Sequence, residues 1–268
     1  MSYGKAAAER IENQTFLITG CSSGIGEATC LELAEANPNI KLIITARRKD
    51  KLDELKTKLE KEYPGIKVLS ASLDVSDLKS IDEFFKNIPS DFADIDVLIN
   101  NAGLAIGQDE FVNTEVEDAE LVFQTNVLGS IAVTKKVLPL LKKKNTGTIV
   151  FIGSIAGIVP YDKGSIYCAS KAAIKSFSDS LRKELISTKI RVILNSPGAV
   201  ETNFSLVRFK GDKAKSDAVY DKTEPLIASD IAESLVFSIT RRQNVVIAET
   251  LIFPNHQASP FHYYRKQD

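Results

Sequence analysis

The chain has 268 residues, 44 % of them hydrophobic and 26 % charged, with a formal net charge of −1 at neutral pH. That balance fits one globular domain over residues 1–268. It gives no support to nucleic-acid binding, which would need a basic surface. Three cysteines, Cys21, Cys30 and Cys168, are an odd set without metal-ligand spacing, so neither a disulfide framework nor a metal site is expected.

Unpaired cysteines fit a reducing, cytoplasmic compartment. The first ten residues contain no signal-peptide core, and no apolar run approaches the roughly 18 residues of a membrane span. The expected partner is a small molecule, with no membrane and no nucleic acid.

In chain order, short apolar, β-branched runs fall at 15–19, 41–45, 67–72, 96–99, 148–152, 191–194 and 245–248. Unbroken apolar runs of this length predict strands buried on both faces. Helical spacing fills 26–36, 50–63, 76–87, 115–144 and 165–187, with Gly129 and Pro139 as candidate bends in the fourth. This alternation predicts an α/β fold: a Rossmann-type, doubly wound parallel sheet with helices on both faces. A loop-rich stretch, 199–225, reads as a substrate loop. The tail, 253–268, carries Phe261, Tyr263 and Tyr264 and should pack on the domain or on a neighbouring subunit.

The first strand runs into Gly20-Cys21-Ser22-Ser23-Gly24-Ile25-Gly26 and then a helix. Strand, glycine turn and helix N-terminus form an anion cradle, because the first-turn amides have no intrahelical acceptor. The spacing is Gly-x-x-x-Gly-x-Gly, so the glycines alone also suit an ordinary turn. An NAD site places an acid at the end of the second strand to meet the ribose hydroxyls. Here that position reads Arg47-Arg48. Arginine forks suit a 2′-phosphate, so the cofactor expected is NADP. The bland alternative is a solvated pair opening the next helix.

Ser154 follows the fifth strand, and Tyr167 and Lys171 stand four apart, on one face of a helix. Tyr-x-x-x-Lys on a helix is commonly structural; a serine at a strand end and a phosphate loop give it a chemical context. Reducing a carbonyl leaves an alkoxide that needs a proton. Tyrosine, with a free pKa near about 10, becomes a usable base beside an ammonium. A shift of ~2–3 units corresponds to roughly 3–4 kcal/mol of interaction. A serine hydroxyl can hold the substrate oxygen.

With these motifs in order, and with Leu73-Asp74-Val75, Asn100-Asn101-Ala102-Gly103, Asn126 and Pro197-Gly198 followed by Thr202, the chain resembles the short-chain dehydrogenase/reductase family over nearly its whole length. The resemblance implies that Asp74 and Val75 contact adenine and that Asn101, Ala102 and Gly103 line the cofactor groove. Pro197, Gly198, Val200 and Thr202 would cradle the nicotinamide, and Lys171 would bond its ribose. It makes Tyr167 the acid/base, Ser154 the substrate anchor, and Asn126 the holder of a water that relays protons to Lys171. Cys21 and Ser196 depart from the usual pattern without removing a catalytic group. The segments 165–171, 180–186 and 250–254 resemble the NADP-dependent 3-hydroxy acid dehydrogenases, which act on serine and allo-threonine, and imply a homotetramer.

A carboxylate substrate wants a cation, and Arg208, on the expected lid loop 205–211, is the candidate; a solvated loop arginine is the alternative. His256 and His262 lack a nucleophile elbow and read as tail residues. Two other functions stay open: a broad NADPH-dependent carbonyl reductase, and an inactive dinucleotide-binding regulator. Epimerisation or dehydration of sugar nucleotides would call for a larger C-terminal substrate domain.

Overall fold

The structure, a computed structural model, describes residues 4–267. Helix α1 (Lys5–Ala8) precedes β1 (Thr15–Thr19), which feeds α2 (Gly24–Ala36). The pattern repeats through β2 (Lys41–Ala46), α3 (Lys49–Glu62), β3 (Lys67–Ser72), α4 (Leu78–Lys86), β4 (Val97–Asn100) and α5 (Val116–Phe123). A π-helical turn at Gln124–Gly129 joins α5 to α6 (Ser130–Lys144). There follow β5 (Thr146–Ile152), α7 (Ser165–Glu184) and β6 (Lys189–Pro197). Next come β7 (Val200–Glu201), α8 (Phe204–Arg208), α9 (Lys213–Tyr220) and β8 (Leu226–Ile227). Helix α10 (Ala228–Ile239), β9 (Glu249–Ile252) and a small hairpin, β10 (Gln257–Ser259) with β11 (His262–Tyr263), complete the chain.

Seven strands form one sheet in the order β3-β2-β1-β4-β5-β6-β9, and every pairing in it is parallel. Strand residues alternate between two cores because successive side chains point to opposite faces. Phe16 and Ile18 pack with Leu33 of α2, Leu52 of α3 and Ile231 of α10. Leu17 packs with Phe84 of α4, Val137 of α6 and Ile174 of α7. Burying each such side chain contributes about 1.5–3 kcal/mol. The sheet reverses direction between β1 and β4, and the crevice beyond their carboxyl ends is where open α/β sheets bind ligands.

The doubly wound sheet agrees with the periodicity; four details do not. The last strand lies at Glu249–Ile252, not 245–248. Its ladder begins where Leu194 N donates to the Ala248 carbonyl, and Arg182 also donates to that carbonyl. Residues 245–248 are therefore an approach held by side chains rather than a strand. The expected helix 115–144 is two helices separated by the π turn, and its local cause is Gly129. A Cβ there would lie 2.3 Å from the Val75 carbonyl oxygen, so the chain passes that close only as glycine. Pro139 sits inside α6. The stretch 199–225 is not simply loop but carries α8 and α9. Helix α10 went unpredicted, although Ile231, Leu235 and Ile239 are spaced for its buried face.

The tail packs on its own domain: the rings of Phe261 and Tyr161 lie edge-to-face at 5.1 Å, and Lys266 N donates to the Lys222 carbonyl. Residues 1–3 and 268, part of the sequence expectations for the two ends, lie outside the described residues. Among the described residues no helix is long and apolar enough to cross a membrane.

Candidate active site

Beyond β1 the chain turns with Gly20 at φ +76° and Gly24 at φ +63°, both in the left-handed region that favours glycine. A Cβ on Gly20 would lie 2.9 Å from the Ala102 Cα, and one on Gly26 would lie 2.4 Å from the Gly20 carbonyl oxygen. Gly26 therefore sits behind the cradle as a packing glycine and does not line the cavity. Asn101 Nδ2 donates to the Thr19 and Gly20 carbonyls at 2.8 and 3.1 Å, while Thr19 Oγ1 accepts from Asn101 N and Ala102 N. These bonds lock the ends of β1 and β4 at the switch point. Ser23, the N-cap of α2, makes no side-chain cap, which leaves the first-turn amides open for an anion.

Arg48 folds over that loop. Its Nη2 donates to Ser22 Oγ at 2.8 Å and to Ser23 Oγ at 3.0 Å. Arg47 is exposed at the same mouth. The Asp74 carboxylate accepts from Ser76 N and Ser76 Oγ at 2.9 and 2.7 Å, which shapes the turn after β3. One cavity of about 960 Å³ runs from this loop to the second half of the chain, at the large end of ligand pockets, roughly 300–1,000 Å³. Apart from Gly26 and Asn126, every predicted cofactor and catalytic residue lines it, as does Arg208.

At the far end Ser154, Tyr167 and Lys171 meet. Ser154 Oγ accepts from Ala156 N at 3.1 Å. Lys171 is buried, and its Nζ donates to the Ile152 carbonyl at 2.9 Å. Burial alone pushes its ammonium down to about 8. Burial also pushes the half-buried Tyr167 phenol well above its ordinary value, helped by Tyr161; a hydrogen bond with Ser154 and the charge of Arg208 pull the other way. Lys171 Nζ, bonded to the Ile152 carbonyl, stands over the Tyr167 ring at 5.8 Å from its centre. Arg208 is a second cation beside Tyr167, and its charge lowers the phenol.

Asn126 departs from expectation too. The side chain is spent on the Leu104 backbone, N–H and carbonyl both at 2.8 Å, and on Ser170 Oγ at 3.1 Å. Its carbonyl accepts from Ser130 Oγ. The side-chain amide thus braces the wall behind Gly103, where a Cβ would lie 3.3 Å from Asn126 Oδ1 and 3.5 Å from Lys171 Nζ.

Arg208 ends helix α8. Its carbonyl accepts from Gly107 N at 2.8 Å and its Nε donates back to the Gly107 carbonyl at 3.0 Å. Nη1 donates to Tyr161 Oη at 3.1 Å, and Nη2 is buried without a partner among the described residues. The guanidinium carbon lies 5.9 Å from the Tyr167 ring centre. This is not a solvated loop arginine. Phe204, on the same short helix, covers Tyr167 with ring centres 5.6 Å apart. The sequence reading missed Tyr161, Phe204 and Gln257, which carry no motif. Gln257 Oε1 accepts from Ala199 N at 2.8 Å and presses on Gly198. His256 faces Glu224 and Tyr264, and His262 is exposed; neither lines the cavity.

The family model for short chain dehydrogenases matches residues 14–212. The chain belongs to the short-chain dehydrogenase family. Within it, the chain is 52 % identical over 258 residues to the NADP-dependent 3-hydroxy acid dehydrogenase of Schizosaccharomyces pombe, covering 96 % of this chain and 99 % of that one. It is 38 % identical over 243 residues to sulfoacetaldehyde reductase 2 of Chromohalobacter salexigens, covering 90 % and 94 %. A closed serine dehydrogenase complexed with NADP+ superposes with a TM-score of 0.86 at 36 % identity, covering 94 % of this short-chain dehydrogenase and 99 % of that chain.

Proposed function

We propose that this chain, acting as one unit over residues 1–268, is an NADP-dependent oxidoreductase that interconverts the hydroxyl and carbonyl of small 3-hydroxy acids such as serine or allo-threonine. The observation that carries the acid class is Arg208: a guanidinium tethered beside Tyr167 with one buried nitrogen still unpaired. A buried cationic donor left without an acceptor costs free energy, and a substrate anion would remove that cost. The relatives support the class, and Arg48 lying on Ser22 and Ser23 supports a 2′-phosphate over a bare ribose.

When bound, NADP supplies the hydride acceptor for the alcohol and, reduced, the donor for the carbonyl. The first-turn amides after Gly24 and the forks of Arg47 and Arg48 hold its phosphates; Asp74 and Val75 flank the adenine. Asn101, Ala102 and Gly103 line the groove, and Pro197, Gly198, Val200 and Thr202 form the nicotinamide wall. Ser154 and Tyr167 hold the substrate oxygen. Tyr167 gives that oxygen its proton in reduction and takes it in oxidation, while Lys171 and Ser154 favour the phenolate. Because burial holds the phenol protonated at neutral pH, reduction has its acid ready there. Oxidation needs the phenolate and accelerates as pH rises.

The proposal extends to a cytoplasmic homotetramer. Exposed Phe111, Val112 and Val116, at and before the start of α5, suit a subunit contact. The test is reduction of NADP+ followed by absorbance with serine, allo-threonine and 3-hydroxypropionate, with NAD+ in parallel. Turnover with NADP+ is expected, and Tyr167→Phe should lower it about 10²–10⁴-fold while cofactor binding survives. Turnover with NAD+ alone would overturn the cofactor assignment. Activity confined to neutral ketones would move the chain to the general carbonyl reductases.

A further inference from the structure

Six cationic side chains line the cavity: Arg47, Arg48, Lys171, Arg208, Lys215 and Arg265. Among the described residues Asp74 is the one carboxylate that lines it with them. Asp74 accepts from Ser76 N and Ser76 Oγ, and it follows β3, four strands across the sheet from β5, whose end carries Ser154. Arg47 and Arg48 share its end of the cavity. The catalytic end keeps Lys171 on α7 and Arg208 on α8, and α9 and the tail add Lys215 and Arg265 to the wall. The phenols of Tyr161, Tyr167 and Tyr263 on that wall are pushed up by burial, so at pH 7 they supply no counter-charge.

The oxygens at this end already serve the protein's own donors. The Ile152 carbonyl takes Lys171 Nζ, the Gly107 carbonyl takes Arg208 Nε, Tyr161 Oη takes Arg208 Nη1, and the Val200 carbonyl takes Tyr220 Oη. A carboxylate entering here meets cations and the unpaired Arg208 Nη2. An ammonium brings three donors, leaves its water behind and arrives beside like charges. Like charges about 7 Å apart, at an effective dielectric of about 20, weaken binding roughly ten- to hundredfold.

We propose that the catalytic end discriminates against an ammonium at C2 of the substrate, so that it takes the unaminated 3-hydroxy acids, 3-hydroxypropionate and glycerate, ahead of serine and allo-threonine. This rests on the 3-hydroxy acid reading and narrows it. Serine and glycerate share one skeleton and differ by an ammonium in place of a hydroxyl. Size is matched between them, and charge is isolated.

The experiment measures kcat/KM with NADP+ for 3-hydroxypropionate and for both enantiomers of glycerate and serine, at pH 7 and pH 10. In parallel, propionate and both enantiomers of alanine are tested as inhibitors; they lack the reacting hydroxyl and report binding alone. At pH 7 the better glycerate enantiomer should lie within about tenfold of 3-hydroxypropionate, and serine at least about tenfold below glycerate. Alanine should bind at least about tenfold more weakly than propionate. By pH 10 the amino group has largely lost its proton, and Lys171, which titrates at about 8, has lost its own. Both gaps should then close to about threefold or less. A gap below about tenfold in either comparison at pH 7 overturns the discrimination. So does a gap that stays at pH 10, which is one of shape rather than charge. In each of those cases turnover of the acids with NADP+ leaves the 3-hydroxy acid function standing. No turnover of any of these acids defeats that function itself.

Discussion

Lys171 is buried, and among the described residues its ammonium bonds the Ile152 carbonyl and no carboxylate. A lysine that titrates at about 8 when folded and near about 10.4 when free lowers stability wherever the ammonium must be buried. Below about pH 8 both states carry the proton and the full cost is present, on the order of 3 kcal/mol. Between pH 8 and about 10.4 the folded state sheds its proton first and the cost disappears. Lys171→Met should therefore raise stability at pH 7 by about 1–3 kcal/mol, the smaller figure if the orphaned carbonyl takes its share. Urea denaturation at pH 7 and pH 10 checks this: the gain should shrink at the higher pH while activity is lost at both. A variant less stable than wild type at pH 7 would mean the carbonyl bond outweighs the desolvation. The spacing of Tyr167 and Lys171 was legible in the sequence because one helix sets it. The second cation beside Tyr167 was not, since Arg208 comes from a helix 41 residues away in sequence.

At the scale of elements, the π turn Gln124–Gly129 sets where α6 lies against the turn after β3. It is pinned by Gly129 against Val75 and by Asn126 against Leu104 and Ser170. Gly129→Ala must push a methyl group to 2.3 Å from the Val75 carbonyl oxygen, so the backbone of one element has to move. The expected cost is about 1–3 kcal/mol, the range for overpacking, despite the better helix propensity of alanine. Thermal unfolding measures the loss, and KM for NADP+ should rise with it because Val75 lines the cavity. An unchanged melting temperature would show that the turn is soft. Composition flags the glycine and the proline of this stretch. Which of them interrupts the helix depends on Val75, in a turn 54 residues earlier in the chain and invisible to local periodicity.

At the scale of the molecule, Arg191 joins β6 to the rest of one core face. It donates to Thr148 Oγ1 on β5 and to the Ile239 and Arg241 carbonyls at the end of α10. Cations suit helix C-termini, where carbonyls lack intrahelical donors. Burial brings its guanidinium down to about 10, still charged at neutral pH. Arg191→Met should cost about 1–3 kcal/mol through those stranded acceptors, read as a fall of several degrees in melting temperature. No loss would mean that removing the buried charge offsets the broken bonds.

The chain by itself determined the α/β class, the alternation of strands and helices from β1 to β6, the glycine cradle and the Tyr167–Lys171 pair. Each of these is written in local period or in spacing along a single element, and local sterics and burial enforce it. Tertiary structure alone decided helices α8 and α9, the position of the edge strand, the bracing role of Asn126 and the Tyr161–Arg208–Gly107 clamp. Those depend on residues distant in sequence meeting across the carboxyl edge of the sheet. A hydrogen-bond partner supplied by another element leaves no period in the chain that receives it.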